Sequence, residues 1–303
     1  MRLLILGASG FLGRQVWRHA TAAGAEVVTA SRSARPQASA HRQLDLAAGD
    51  PAPIAEVIAS VAPDVVASCA GATVGDPDLL AAANVTGVYA LVRAMLAAET
   101  PARLVHLGSA AEYGRVEPGI GVAESAPCHP VAMYGVTKLA GTRLVELGRA
   151  GGLDAVVLRV FNLVGAGAPE SSLPGRVAAQ LRQAQADGTD VRLGPLDAVR
   201  DFVDVRDVAA AVLAAAAAPA LPHAVLNVGS GTGVLARTLV KELIAISGYA
   251  GPVHEDLPGS ARSSDVPWNQ ADITLARQDL DWRPRHDLAA SVADLWAGES
   301  WSG

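Results

Sequence analysis

Leu3-Leu4-Ile5-Leu6-Gly7-Ala8-Ser9-Gly10-Phe11-Leu12-Gly13 stands almost at the start of the chain and decides its fold. Four consecutive apolar residues bounded by a glycine read as a strand covered on both faces, as strands inside a parallel sheet are. Three glycines follow at G-x-x-G-x-x-G spacing, and Phe11 to Ala23 then reads as a helix stopped by Gly24. The spacing differs from G-x-G-x-x-G, but the physics is the same. Glycine allows a tight turn and close backbone approach, and the first N–H groups of a helix attract a pyrophosphate. Gly7, Ser9, Gly10, Phe11, Leu12 and Gly13 are therefore candidate contacts of a dinucleotide.

Outward from this loop the same rhythm continues. Glu26 to Ala30, Asp64 to Cys69, Arg103 to Leu107 and Ala155 to Val160 read as strands. Ile54 to Val61, Leu79 to Ala98 and Tyr134 to Ala150 read as the helices between them. Alternation of this kind predicts an α/β fold, a doubly wound parallel sheet with helices on both faces. After Gly165 the pattern loosens into helices at Pro174 to Ala186, Val205 to Ala218 and Ala236 to Ile246, joined by irregular segments. Ala224 to Val228 reads as a late strand returning to the sheet. The expected division is a dinucleotide-binding unit over 1–165 and a smaller, mainly substrate-binding C-terminal lobe over 166–303.

Composition narrows the function classes. Half of the 303 residues are hydrophobic and 18% are charged, a globular balance. The formal net charge of −6 argues against nucleic acid as a partner. No run comes near the length of a membrane helix, and the start lacks the features of a signal peptide. The two cysteines, Cys69 and Cys128, form no CxxC pair, so a disulfide scaffold or zinc site is not expected. The seven histidines show no metal spacing, and His106 reads as a packed strand residue. A reducing, cytoplasmic setting fits.

At the end of the second strand an acid would bind the adenosine ribose of NAD. This chain has Ser31-Arg32 there, which suits a 2′-phosphate, so NADP(H) is the preferred cofactor and NAD(H) a possible one. Asp45-Leu46 could lie beside the adenine, or Asp45 could cap a helix. Ser109 falls at the carboxyl end of a strand, and Tyr134 and Lys138 follow at i and i+4 on one helix face. A tyrosine hydroxyl, ordinarily of pKa about 10, becomes a usable acid or base beside an ammonium. Ser109 would donate to the same reacting oxygen. The three together point to hydride and proton transfer at a carbonyl or alcohol carbon.

With these residues in place, the chain resembles the extended short-chain dehydrogenase/reductase superfamily over nearly its whole length. The likeness is to its nucleotide-sugar epimerases, dehydratases and 4-keto-6-deoxyhexose reductases. It extends through Ala70-Gly71, Asn84-Val85-Thr86-Gly87, Ser109 to Gly114, Leu158 to Asn162, Val199 to Val208, Asn227 to Gly231 and Asp281 to Pro284. The resemblance implies a Rossmann-type fold and cofactor contacts at Ala70, Gly71 and Asn84. It implies that Ala110 borders the substrate, that Asn162 contacts a diphosphate and that Arg200 and Arg262 clamp phosphates. It also implies a homodimer, by analogy.

Family 4,6-dehydratases carry Asp-Glu after the serine or threonine. Here Ala110 and Ala111 take those places, against a dehydratase. The expectation is an NADPH-dependent 4-ketoreductase of a nucleoside-diphosphate 4-keto-6-deoxy sugar. A 4-epimerase with tightly held NAD and a non-catalytic NADP-binding regulator are the alternatives, and the substrate could be another ketone.

Overall fold

The computed structural model describes residues 1–32, 40–99, 101–260 and 265–298. The first half alternates as the pattern predicts: β1 (Arg2–Leu6), α1 (Phe11–Ala22), β2 (Glu26–Ser31), β3 (His41–Gln43), α2 (Pro51–Val61) and β4 (Val65–Ser68). There follow α3 (Pro77–Ala81), α4 (Gly87–Leu96), β5 (Arg103–Ser109), α5 (Met133–Ala150) and β6 (Ala155–Val160). Leu3 to Leu6 are essentially fully buried. Burying such a side chain is worth about 1.5–3 kcal/mol, which makes this run the centre of the sheet. Side-chain caps start the helices between strands: Asp50 accepts from Ala52 N before Pro51–Val61, and Asp76 accepts from Leu79 N before Pro77–Ala81.

The second half contains β7 (Asn162–Val164), α6 (Leu173–Asp187), β8 (Val191–Leu193), β9 (Val199–Asp204), α7 (Val205–Ala217) and β10 (Val225–Val228). It closes with β11 (Gly233–Leu235), α8 (Ala236–Ser247), β12 (Val253–Glu255), β13 (Trp268–Asn269), α9 (Thr274–Leu280) and α10 (Leu288–Ala297).

The main sheet has seven strands in the order β10-β6-β5-β4-β1-β2-β3, every neighbour pair parallel. This is the Rossmann order with one strand added. The predicted late strand is β10, beside β6 in register Leu226 to Leu158. Apolar side chains of α1 and α7 cover one face of the sheet, and those of α2, α4 and α5 cover the other. Thus α7, which lies past residue 165, packs with the first layer. A third core joins α6, α8 and α10 in the smaller lobe.

Three expectations change. The segment predicted as one helix over 79–98 runs through a π-turn at Ala82–Thr86 between α3 and α4. Pro77–Leu96, 20 residues with a mean hydropathy of 1.6, is long and apolar enough by composition to cross a membrane, contrary to the reading that no run comes near that length. Half of this span is buried inside the protein, where α4 packs on α2 and α5. The segments read as irregular after Gly165 contain a second, four-stranded sheet, in which β9 pairs with β7, β11 and β13. Strands of two to six residues are too short to show a period.

Candidate active site

The carboxyl ends of β1, β4, β5 and β6 and the face of the small sheet enclose a cleft of about 730 Å³. Its floor is the glycine loop. Gly7 has φ +79°, and a Cβ on Gly13 would lie 2.2 Å from the Gly7 carbonyl oxygen, so α1 can start this close to β1 only on glycine. Gly10 is the N-cap and supplies no side-chain cap, which leaves the first N–H groups of α1 facing the cleft that Gly10 to Gly13 line. Arg14 Nη1 donates to Ser9 O at 2.9 Å and holds the loop. This cradle fits a dinucleotide pyrophosphate.

At the end of β2, Ser31 is buried and Arg32 is exposed, with Gln43 Nε2 donating to Arg32 O at 3.0 Å. Asp45 accepts from Ala47 N at 3.0 Å and caps the short 3-10 helix Leu46–Ala48. Of its two readings, the cap is therefore the one the geometry displays. Leu46 packs into the core on the α4 side.

Cys69, Ala70 and Gly71 line the cleft after β4. Asn84 borders it too, but its side chain is committed to the protein. Its Oδ1 accepts from Ala72 N at 3.0 Å, and its Nδ2 donates to Ala72 O at 2.9 Å and to Thr137 Oγ1 at 3.1 Å. With these bonds Asn84 brackets the loop after β4 to helix α5 at the edge of the cleft. The π-turn presents this asparagine, a common use of such turns near functional sites.

Ser109 ends β5, and its Oγ accepts from Ala111 N at 3.2 Å. A Cβ on Gly135 would stand 2.4 Å from Ala111 O, so the start of α5 lies directly against the serine turn. That contact brings Tyr134, half-buried, beside Ser109 in the same cleft, with Lys138 one turn further in. Lys138 is buried, and its Nζ donates to Leu107 O. Burial lowers its pKa, while the Glu112 carboxylate and Cys69 act to raise it. An ammonium held next to Tyr134 stabilises a phenolate. His106 is a packed residue, as expected. Its Nδ1 meets Ser68 Oγ at 3.2 Å, and burial, then the nearby Lys138, pushes its pKa well down, so it is neutral. Burial pushes the Cys69 thiol up to about 12, which removes it as a thiolate nucleophile.

The opposite wall is the small sheet, and its register explains which side chains reach the cleft. Asn162 pairs with Phe202 and Asn269 pairs with Arg200, while Arg200 and Phe202 are two apart on β9. All four lie on one face and line the cleft. Asp201 points the other way, where its carboxylate accepts from Ser230 N, Ser230 Oγ, Gly231 N and Ala271 N. Burial lowers the Arg200 pKa, the mark of a guanidinium short of water that an entering anion would compensate. Asn162 spends one N–H on Asp201 O at 3.0 Å. Arg262, the other expected phosphate clamp, lies outside the described residues.

Among the lining residues that the sequence reading did not name are Arg176 and Asn269. Arg176, on α6, is a second guanidinium on the cleft. Asn269 is 6% exposed, and its Nδ2 makes a long contact to Ala110 O at 3.4 Å. Its Oδ1 has no partner among the described residues. Neither belongs to a periodic motif, and only strand pairing and helix docking bring them here. Ala110, Ala111 and Val131 make the wall near Ser109 apolar. Among the described residues no cluster could hold a metal.

The model of the NAD dependent epimerase/dehydratase family matches residues 3–229. A dTDP-6-deoxy-L-talose 4-dehydrogenase (NAD(P)(+)) from Kitasatospora kifunensis is 41% identical over 99% of this chain and 96% of its own. A UDP-glucose 4-epimerase from Streptomyces lividans is 31% identical over the same shares, 99% and 96%. The structure of RMD from Pseudomonas aeruginosa in complex with NADPH superposes with a TM-score of 0.81 at 25% identity, covering 98% of this chain and 97% of that one.

Proposed function

The chain belongs to the NAD dependent epimerase/dehydratase family, and from that premise we propose that it is an NADPH-dependent 4-ketoreductase of a nucleoside-diphosphate 4-keto-6-deoxy sugar. It is an NAD(P)-dependent oxidoreductase of the extended short-chain dehydrogenase/reductase type, related to enzymes that act on nucleotide sugars. The first 165 residues carry mainly the cofactor and 166–303 mainly the substrate.

NADPH would supply the hydride. Tyr134 gives the proton to the oxygen, Lys138 holds the tyrosine in its working range, and Ser109 donates to the same oxygen. Arg200, Asn162 and Arg262 receive the diphosphate. Ala110 and Ala111, without a carboxylate, leave no group to remove water from the sugar and present a wall that suits a deoxy carbon.

One observation carries the choice of reduction over epimerisation. Between Val27 and Leu44 the chain has no acidic residue and has Arg32, Arg35 and Arg42. Arginine without a competing carboxylate suits a 2′-phosphate, and an NADPH that comes and goes is the co-substrate of net reduction. The 41% relative, named for the C4 of a deoxy sugar, supports the substrate class. The epimerase reading rests on the relative at 31% and on the same three catalytic residues. A non-catalytic regulator would need none of them.

Titration with NADPH and NADH tests this, with assay of dTDP-6-deoxy-L-talose oxidation by NADP+ and of the reverse reaction. The expected result is NADPH bound at least about tenfold tighter, which is 1.4 kcal/mol, with no nucleotide retained through purification. Retained NAD and an isomeric product would instead establish the epimerase. Full biological function of Tyr134→Phe would establish the regulator. In solution the protein is expected to be a homodimer in the reducing cytoplasm; Cys69 and Cys128 are free thiols.

A further inference from the structure

We infer that the buried Glu112–Arg159 ion pair positions Ser109 so that its hydroxyl hydrogen points at the reacting oxygen, an inference that rests on Ser109, Tyr134 and Lys138 being the reaction site. Glu112 directly follows the serine turn, and its side chain is fully buried. One carboxylate oxygen accepts from Ser109 N at 2.8 Å, and the other accepts from Arg159 Nε at 2.8 Å. The guanidinium lies 4.7 Å over the Tyr113 ring, whose hydroxyl donates to Asn227 Oδ1 at 2.7 Å. The serine at the end of β5 is thus braced from β6, through Arg159, and from β10, through Asn227.

This bracing decides what Ser109 can do. Its backbone N–H is spent on Glu112, and its Oγ already accepts from Ala111 N at 3.2 Å. Its hydroxyl hydrogen has no acceptor among the described residues and is left for the cleft. A ketone oxygen needs a donor, and the alkoxide forming during hydride transfer needs it more. A lone carboxylate beneath that oxygen would repel the alkoxide; Arg159 cancels the charge.

A serine–glutamate capping box holds an ordinary turn without any counter-ion. Sequestering two charges from water to hold one is a costly arrangement. Its place directly under the serine is what a role in the reaction explains and a role in folding alone does not. Glu112 and Arg159 act through Ser109 and touch no substrate.

The test replaces the pair by apolar residues of similar size, Glu112→Leu with Arg159→Met, a change that buried ion pairs often tolerate in folding. Ser109→Ala and the triple variant complete a cycle, assayed by NADPH consumption with the 4-keto sugar. We expect kcat to fall about tenfold or more in the pair variant. The KM for the sugar and the NADPH affinity should stay within about twofold, and the triple variant should be no slower than Ser109→Ala. A folded pair variant with unchanged kcat would overturn the inference, as would losses that multiply in the triple variant. If the pair variant does not fold, Glu112→Met with Arg159→Leu, which likewise removes both the acceptor for Ser109 N and the paired charge, takes its place in the cycle, and an unchanged kcat or multiplying losses would again overturn the inference. Full activity of Ser109→Ala would overturn the site assignment itself, and this inference with it.

Discussion

At the scale of single residues the site is a matter of which polar atoms remain uncommitted. Asn84 and Asp45 have spent theirs on other parts of the protein, while Asn269 Oδ1 has no partner among the described residues. An amide left this way in a cleft binds best to something that completes it. Asn269→Leu is expected to raise the KM for the sugar about tenfold, the worth of one hydrogen bond of roughly 1.4 kcal/mol, with NADPH affinity unchanged. Steady-state kinetics beside an NADPH titration check this. Equal loss of both would mean that the side chain serves the fold instead. That Ser109 ends a strand and that Tyr134 and Lys138 share a helix face was legible in the chain, because each follows from local geometry, and all three line the cleft. Asn269 was not, because its position depends on pairing with Arg200 across 69 residues of sequence.

At the scale of elements the glycine loop is where sequence and packing agree most closely. Gly13 lies in the first turn of α1, against the carbonyl of Gly7. Gly13→Ala should push the helix off β1 by the width of a methyl group and cost about 1–3 kcal/mol through overpacking. The measurable outcome is a lower melting temperature together with an NADPH affinity down by tenfold or more. A variant that melts and binds like the parent would show that the loop has slack. The helix over Pro77–Leu96 shows the limit of periodicity. Its apolar run predicts one regular helix, but the π-turn shifts its register where Asn84 brackets Ala72 and Thr137. A side-chain bracket between distant segments leaves no mark on a local pattern.

At the scale of the whole molecule the lobe is fastened by buried carboxylates. Asp204 accepts from Arg206 Nε at 2.8 Å and from Ser291 Oγ at 2.7 Å, tying β9 to α10. Burial raises its pKa, but the hydrogen bonds from Arg206 and Ser291 outweigh burial, and the net shift is downward. A carboxyl with a depressed folded pKa stabilises the fold above its unfolded value of about 3.9 and loses that contribution as pH falls through the folded value. Asp204→Asn should therefore cost about 1.5–3 kcal/mol at pH 7, with the gap to the parent closing below about pH 4. Denaturant melts at both pH values check it, and a gap that does not narrow would mean the loss is one of packing. On the outside, Tyr89 and Leu96 of α4 and Val136 and Leu147 of α5 expose apolar surface on helices that pack side by side. Leu147→Glu is expected to turn a homodimer into a monomer by light scattering. A parent protein that is already monomeric would refute the dimer.

The sequence by itself determined the parallel sheet, the glycine loop after its first strand and the helix that carries Tyr134 and Lys138 on one face. All of these rest on interactions within a few residues: strand burial, helix periodicity and glycine at a turn. The tertiary structure alone decided how the far wall of the cleft is made. It set Arg200 toward the ligand and Asp201 away from it, brought Asn269 and Arg176 to the same space, and placed the Glu112–Arg159 pair under Ser109. Those outcomes depend on strands of two to six residues finding partners far along the chain. Register between such strands is fixed by packing between layers, which no local pattern encodes.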